Sequence, residues 1–193
     1  MIQAMLRLFV GVLLPQAISD HALAFARPLQ NNPGLRWEPA VSLHMTLKFI
    51  GSVEDKNVSK IQSVLVETAA ETAPFSLALK GGGVFPSKRA ARIFWTGLEG
   101  DVAALTGLAK RVEEKLAPVG IPAEARAFKA HVTLAKSAGG EVPPAILSGQ
   151  FCTLFLPYAS PSFSVNEVHL IQSHLNASGS SYQTLNSVTL RRP

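Results

Sequence analysis

Apolar and polar residues alternate in two short stretches of this chain. In 41–49, Val41, Leu43, Met45, Leu47 and Phe49 fall on one side of a two-residue repeat, and Ser42, His44, Thr46 and Lys48 on the other. In 128–134, Phe128, Ala130, Val132 and Leu134 alternate with Lys129, His131 and Thr133. A period of two is that of a strand buried on one face, so both stretches are predicted strands. The apolar run Leu6–Leu14 predicts a buried strand, and Pro15 predicts its end and the first turn of a helix to about Leu29. Helical spacing appears twice more. Val58, Ile61, Leu65 and Ala69 make a stripe between Glu54 and about Thr72. Val102, Leu105, Leu108, Val112 and Leu116 make another, with Asp101 as the expected N-cap and an end near Ala117. Phe75–Leu79, Ile93–Leu98, Phe151–Leu156, Phe163–Ser173 and Tyr182–Leu190 read as further strands, and 176–180 as a hairpin connection. Gly81-Gly82-Gly83 reads as a loop or a bulged strand.

The order strand, helix, alternating strand, helix, strands is roughly repeated in the second half. Many strands with a few long helices predict an α+β fold with antiparallel sheets, and two similar halves suggest a pseudo-twofold arrangement around a cleft. No low-complexity or linker-like stretch divides residues 1–193, so one domain is expected. With 47% hydrophobic residues the chain can build a core. Its formal charge of +5 modestly favours a polyanionic partner. The single cysteine, Cys152, excludes an internal disulfide and the cysteine clusters of structural zinc sites, and is expected to be a small buried apolar residue. Leu8–Leu14 with Ala22-Leu23-Ala24 faintly suggests a signal peptide. The shortness of the run, Pro15 and the polar pair Asp20-His21 favour a core strand instead. No segment is long and apolar enough for a membrane helix.

The two alternating stretches also share a motif: His44-Met45-Thr46-Leu47 and His131-Val132-Thr133-Leu134. Residues i and i+2 of a strand lie about 6.5–7 Å apart on one side, so each copy offers an imidazole and a hydroxyl to one space. If the strands lie side by side, two imidazoles and two hydroxyls share one cleft. One base, one acid and two small donors form a plausible set for phosphate chemistry.

These motifs resemble the paired His-x-Thr motifs of the 2H phosphoesterase superfamily. The chain most resembles its RNA 2′,3′-cyclic phosphodiesterase branch, also called the 2′-5′ RNA ligase family. Arg7-Leu8-Phe9-Val10-Gly11-Val12 is similar to the family's first strand. Arg36-Trp37-Glu38-Pro39, Lys48-Phe49-Ile50-Gly51, Phe85-Pro86, Phe94-Trp95 and Val168-His169-Leu170 follow in the family's order. The resemblance spans nearly the whole chain. It implies a bilobal α+β domain with both motifs lining a central groove. The chain departs from the pattern twice. Ala130 stands where the family usually has proline before the second histidine, and Lys136 where it often has arginine. By strand parity Lys136 is expected to face away from His131, unless the strand twists or ends there.

The resemblance implies hydrolysis of RNA or nucleotide 2′,3′-cyclic phosphate ends to 2′-phosphates, with weak reverse 2′-5′ ligation. By family analogy His44 is the general acid and His131 the general base, with the assignment of the two roles left open. Thr46 and Thr133 then bind the phosphate, and Lys48, Lys136 and Lys129 are further candidates for substrate contact. No metal or other cofactor is implied, and a cytoplasmic monomer is expected. Lys80, Lys88, Arg89 and Arg92 are candidates to guide an RNA backbone, or simply a solvated basic loop. His21, His169 and His174 lack the motif and are read as structural or surface residues. Phe49 and Trp37 are read as core. Three alternatives remain: a phosphodiesterase for small cyclic phosphates such as ADP-ribose 1″,2″-cyclic phosphate, a non-catalytic RNA-end binder, and, distantly, a zinc hydrolase. The last lacks His-x-His and His-Glu-x-x-His spacing.

Overall fold

The computed structural model describes residues 5–140, 142–176 and 179–191. In chain order the elements are β1 (Met5–Leu13), α1 (Gln16–Phe25), α2 (Arg27–Gln30), β2 (Leu35–Trp37), β3 (His44–Glu54), α3 (Val58–Ala70), β4 (Phe75–Phe85) and β5 (Ile93–Gly100). There follow α4 (Val102–Leu116), β6 (Val132–Ser137), α5 (Ala145–Phe155), β7 (Phe163–Val165), β8 (Glu167–Asn176) and β9 (Gly179–Thr189). One sheet has the order β3-β1-β8-β9 and the other β2-β6-β5-β4-β7. Every pairing between these strands is antiparallel.

The motif strands β3 and β6 therefore belong to different sheets and face each other instead of lying side by side. The chain crosses between sheets to achieve this. Helix α1 follows β1 but packs through Phe25 on Phe155 and Tyr158 beside the five-stranded sheet. Helix α4 follows β5 but packs against β3. One hydrophobic cluster runs through both halves, from Leu8, Val10 and Met45 to Leu79, Phe94 and Leu134. Burial of this kind is the main favourable term in folding.

Several expectations are corrected. Phe151–Leu156 is not a strand. It ends a helix whose Leu147, Phe151 and Phe155 are buried at a spacing of four, a period that six apolar residues alone do not display. Cys152 sits on that helix half-buried. The segment after Gly51 stays extended to Glu54, and α3 starts only at Val58. Asp101 does not cap α4 with its side chain; its Oδ2 accepts the Ser76 N–H at 3.0 Å. Val41 lies in a 3₁₀ turn and is exposed. β2 was not expected as a strand. β8 and β9 stay paired up to Asn176 and Gly179, while residues 177–178 of the hairpin connection lie outside the described residues.

Parity fails inside both motifs for one physical reason. In β3, Thr46 pairs with Gly11 and Lys48 with Val10, leaving Leu47 as an extra residue. In β6, Thr133 pairs with Trp95 and Ala135 with Phe94, leaving Leu134 as an extra residue. Each is a β-bulge, which reverses the alternation beyond it. Residues +3 and +4 after each histidine are both buried, and residue +5 turns to the histidine's side. That residue is Phe49 in β3 and Lys136 in β6. Hence Phe49 is exposed, not core, and Lys136 lines the cleft with His131 instead of facing away.

Candidate active site

A cleft of about 1260 Å³ lies between the two sheets. His44, Thr46, His131, Thr133, Lys129 and Lys136 all line it. His44 opens β3, and His131 immediately precedes β6. Their surroundings repeat one device. His44 Nδ1 lies 2.6 Å from the Ser42 carbonyl, and His131 Nδ1 lies 2.7 Å from the Lys129 carbonyl. A carbonyl only accepts, so each Nδ1 carries a hydrogen and donates it. The bond orients the ring and leaves Nε2 as the nitrogen that gains or loses a proton.

The rings are packed differently. His44 lies 4.8 Å from Phe9 and 5.1 Å from Tyr182, which meets it edge-on. His131 meets Phe85 edge-on at 5.2 Å, and Trp95 lies 6.3 Å away. Phe85 and Trp95 stack on each other at 5.0 Å, with Lys129 Nζ 5.5 Å from the centre of the Phe85 ring. Gly83 makes that stack possible, because a Cβ there would lie 2.5 Å from the Trp95 ring.

Burial lowers the pKa of both motif histidines below the ordinary imidazole value. Their carbonyl partners oppose the shift. His44 also feels the Glu38 carboxylate, which favours its protonated form, and Lys136 and His131, which disfavour it. Glu38 is one residue of this site that sequence reasoning missed. It is 7% exposed, and its Oε1 lies 2.7 Å from Lys136 Nζ in a close ion pair that is not an aligned hydrogen bond. The only available signal was its place in Arg36-Trp37-Glu38-Pro39. Tyr182 and Phe9 were missed as neighbours of His44 because they reach it from other strands.

Lys48 also lines the cleft, but its amine is held by the fold. It is 4% exposed, and its Nζ donates to Glu113 Oε1 at 2.8 Å and to the Pro122 carbonyl at 2.6 Å. Glu113 Oε1 also accepts the Glu124 N–H. Lys48 thus ties β3 to α4 and to the segment that leads to His131. Lys80, Lys88, Arg89 and Arg92 are not among the cleft-lining residues, and Lys80 lies 3.6 Å from Glu99. Residues 81–83 belong to β4, with a bulge between Lys80 and Gly82. His169 is buried beside Glu167 and does not line the cleft; His21 Nδ1 contacts the Tyr158 hydroxyl at 3.1 Å; His174 is exposed. Trp37 packs near Phe151. Among the described residues, no helix is long and apolar enough to cross a membrane.

Comparison with known proteins bears on these motifs. A family model described as LigT like Phosphoesterase matches residues 12–95, which include the first motif. An Archaeoglobus fulgidus protein named RNA 2′,3′-cyclic phosphodiesterase is 31% identical over 185 residues, 93% of this chain and 98% of that protein. A Geobacillus stearothermophilus protein of the same name is 36% identical over 145 residues, 74% of this chain, but the match spans only 44% of that longer protein. A solved structure from Thermus thermophilus superposes with a TM-score of 0.76 at 26% identity, covering 96% of this chain and 98% of that one. With a relative matched at this identity over almost its entire length, and with both motifs facing one cleft, the chain belongs to the LigT-like phosphoesterase family.

Proposed function

We propose that this protein is an RNA 2′,3′-cyclic phosphodiesterase that opens cyclic phosphate ends to 2′-phosphates, using two histidines and no metal. The observation that carries this is the matched pair of imidazoles, each with Nδ1 tied to the carbonyl two residues before it and a threonine two residues after it, lining one cleft. The relatives named for this activity add support.

The step needs a base on one side of phosphorus and an acid on the other. Neutral His131 accepts a proton from water at Nε2 as the water oxygen bonds to phosphorus. His44, protonated at Nε2, donates to O3′ as the P–O3′ bond breaks. The product is a 2′-phosphate and a free 3′-hydroxyl, and proton exchange with solvent resets both rings. Thr46 and Thr133 donate hydrogen bonds to the non-bridging oxygens, whose charge grows in the transition state. Lys136 adds a positive charge at the cleft wall. Glu38 beside His44, with no carboxylate among the described residues acting on His131, supports His44 as the acid. A 5′-hydroxyl in place of water on the same path, losing its proton to His131 while His44 protonates O3′, gives a 2′-5′ linkage and a free 3′-hydroxyl. Both histidines come from one chain, so a monomer forming one bilobal domain suffices, and a chain with one cysteine suits the cytoplasm.

The test is hydrolysis of a short RNA ending in a 2′,3′-cyclic phosphate, in EDTA, with the product resolved as 2′- or 3′-phosphate. Wild type yields the 2′-phosphate, and His44→Ala and His131→Ala each lose about 10²–10⁴-fold in rate. Undiminished activity in both variants would falsify the assignment.

A further inference from the structure

Lys48 and Phe49 invert the usual placement of charge and hydrocarbon: the lysine is 4% exposed and the phenylalanine 59%. Lys48 has its reason in Glu113 and the Pro122 carbonyl. Phe49 has none within the fold. The Leu47 bulge turns its ring out of the core and into the cleft, where its ring neighbour is Phe9 at 6.1 Å. An exposed aromatic ring on the wall of a polyanion-binding cleft offers a flat apolar face to a base.

The register of β1 with β3 places this ring in a row. Leu13 lies opposite His44, Gly11 opposite Thr46, Phe9 opposite Phe49 and Arg7 opposite Ser52. Directly paired residues share a face of the sheet, and successive rows are about 7 Å apart. Leading away from the catalytic histidine, the face therefore presents a hydroxyl, then an aromatic ring, then a guanidinium. Arg7 is exposed, lines the cleft, and has no ion-pair partner among the described residues. Gly11 keeps the row open beside Thr46, since a Cβ there would come within 2.9 Å of the Met45 carbonyl.

We propose that Phe49 and Arg7 form a subsite for the nucleotide preceding the cyclic phosphate end, so that the preferred substrate is an oligonucleotide and not a mononucleotide. This rests on the activity proposed above. Phe49 stacks on a base of that strand, a contact tolerant of base identity because every base has a π-face. Arg7 meets the phosphodiester beyond it and contributes a salt-dependent part of the affinity. The spacing of phosphate site, ring and cation follows the alternation of phosphate and base along a single strand.

Binding without turnover tests the subsite apart from the chemistry. Calorimetric titration compares adenosine 2′-phosphate with adenylyl-(3′→5′)-adenosine bearing a terminal 2′-phosphate. Wild type is expected to bind the dinucleotide about tenfold tighter, the gain of one stacked base. Phe49→Ala removes that advantage while changing mononucleotide affinity less than about twofold. Phe49→Trp retains it, and Arg7→Gln lowers it about threefold and weakens its salt dependence. Equal affinity of wild type for the two ligands overturns the proposal, as does an advantage that survives Phe49→Ala. Hydrolysis of adenosine 2′,3′-cyclic phosphate by wild type judges the parent activity separately, so failure of one is not mistaken for failure of the other.

Discussion

The two motif copies share a backbone and differ in what it presents. Each has histidine, threonine, an extra leucine at a bulge and a residue at +5 turned into the cleft. Position +4 is a buried lysine in the first copy, Lys48, and a buried alanine in the second, Ala135. Position +5 is Phe49 in the first and Lys136 in the second. Around the first histidine stand Glu38, Lys136, Phe9 and Tyr182; around the second, Phe85 and Trp95. A duplicated backbone thus holds two imidazoles alike, and unlike neighbours give them unlike work. Backbone symmetry supplies the pair, and on the proposed mechanism side-chain asymmetry separates acid from base.

The largest effect that can break this comparison comes from the leaving group. The 4-nitrophenolate of a 4-nitrophenyl phosphodiester departs without needing a proton. On cyclic phosphate both His44→Ala and His131→Ala lose about 10³-fold. On the nitrophenyl ester His44→Ala should recover most of that loss while His131→Ala stays slow, measured as kcat/KM. The opposite pattern exchanges the two roles.

The +4 difference comes next. Lys48→Met removes the cation from Glu113 and the Pro122 carbonyl. The loss should be about 2 kcal/mol in chemical denaturation, below the ~3–5 kcal/mol of a fully enclosed pair because Glu113 keeps contact with water. Mononucleotide kcat/KM at a temperature where the variant is folded should change little. A selective rise in KM at full stability would make Lys48 a substrate contact after all.

Glu38→Gln sharpens the electrostatic side. In the free protein both motif histidines are held below the ordinary imidazole pKa of 6.5, so the limb on which kcat/KM declines as the acid loses its proton should lie below pH 6.5. Removing the carboxylate takes away an influence that raises the His44 pKa. The declining limb should therefore move to lower pH, with kcat/KM about three- to tenfold lower at pH 7. An unmoved limb would leave Glu38 only a tether for Lys136.

The smallest effect is on stability. Burial depresses the pKa of His44, His131 and His169 in the folded state. Below pH 6.5 the unfolded chain then binds more protons than the folded one, so stability is fullest above that pH. It declines as pH falls through the interval down to the depressed folded values. Melting temperature measured between pH 7.5 and 5 should fall, and His169→Gln, outside the cleft, should reduce the slope without altering kcat.

The strand period and the helical stripes were legible because they are local. Met45, Val132 and the Leu105–Leu116 stripe are buried as their spacing requires. The run at 151–156 was misread because six apolar residues fit a strand or a buried helix equally well. Glu38, Phe9 and Tyr182 escaped notice as parts of the site because Glu38 reaches it from the segment just after β2, and the other two from β1 and β9.

By itself the sequence determined that two histidines, each with a threonine two residues on, lie in stretches that alternate as strands do, in a chain resembling one family; a short-range repeat needs no fold to be visible. Tertiary structure alone decided that Lys48 goes in while Phe49 and Lys136 go out, and that Glu38 stands beside His44. A bulge is counted only against the partner strand: Leu47 is surplus relative to Val10 and Gly11, and Leu134 relative to Phe94 and Trp95.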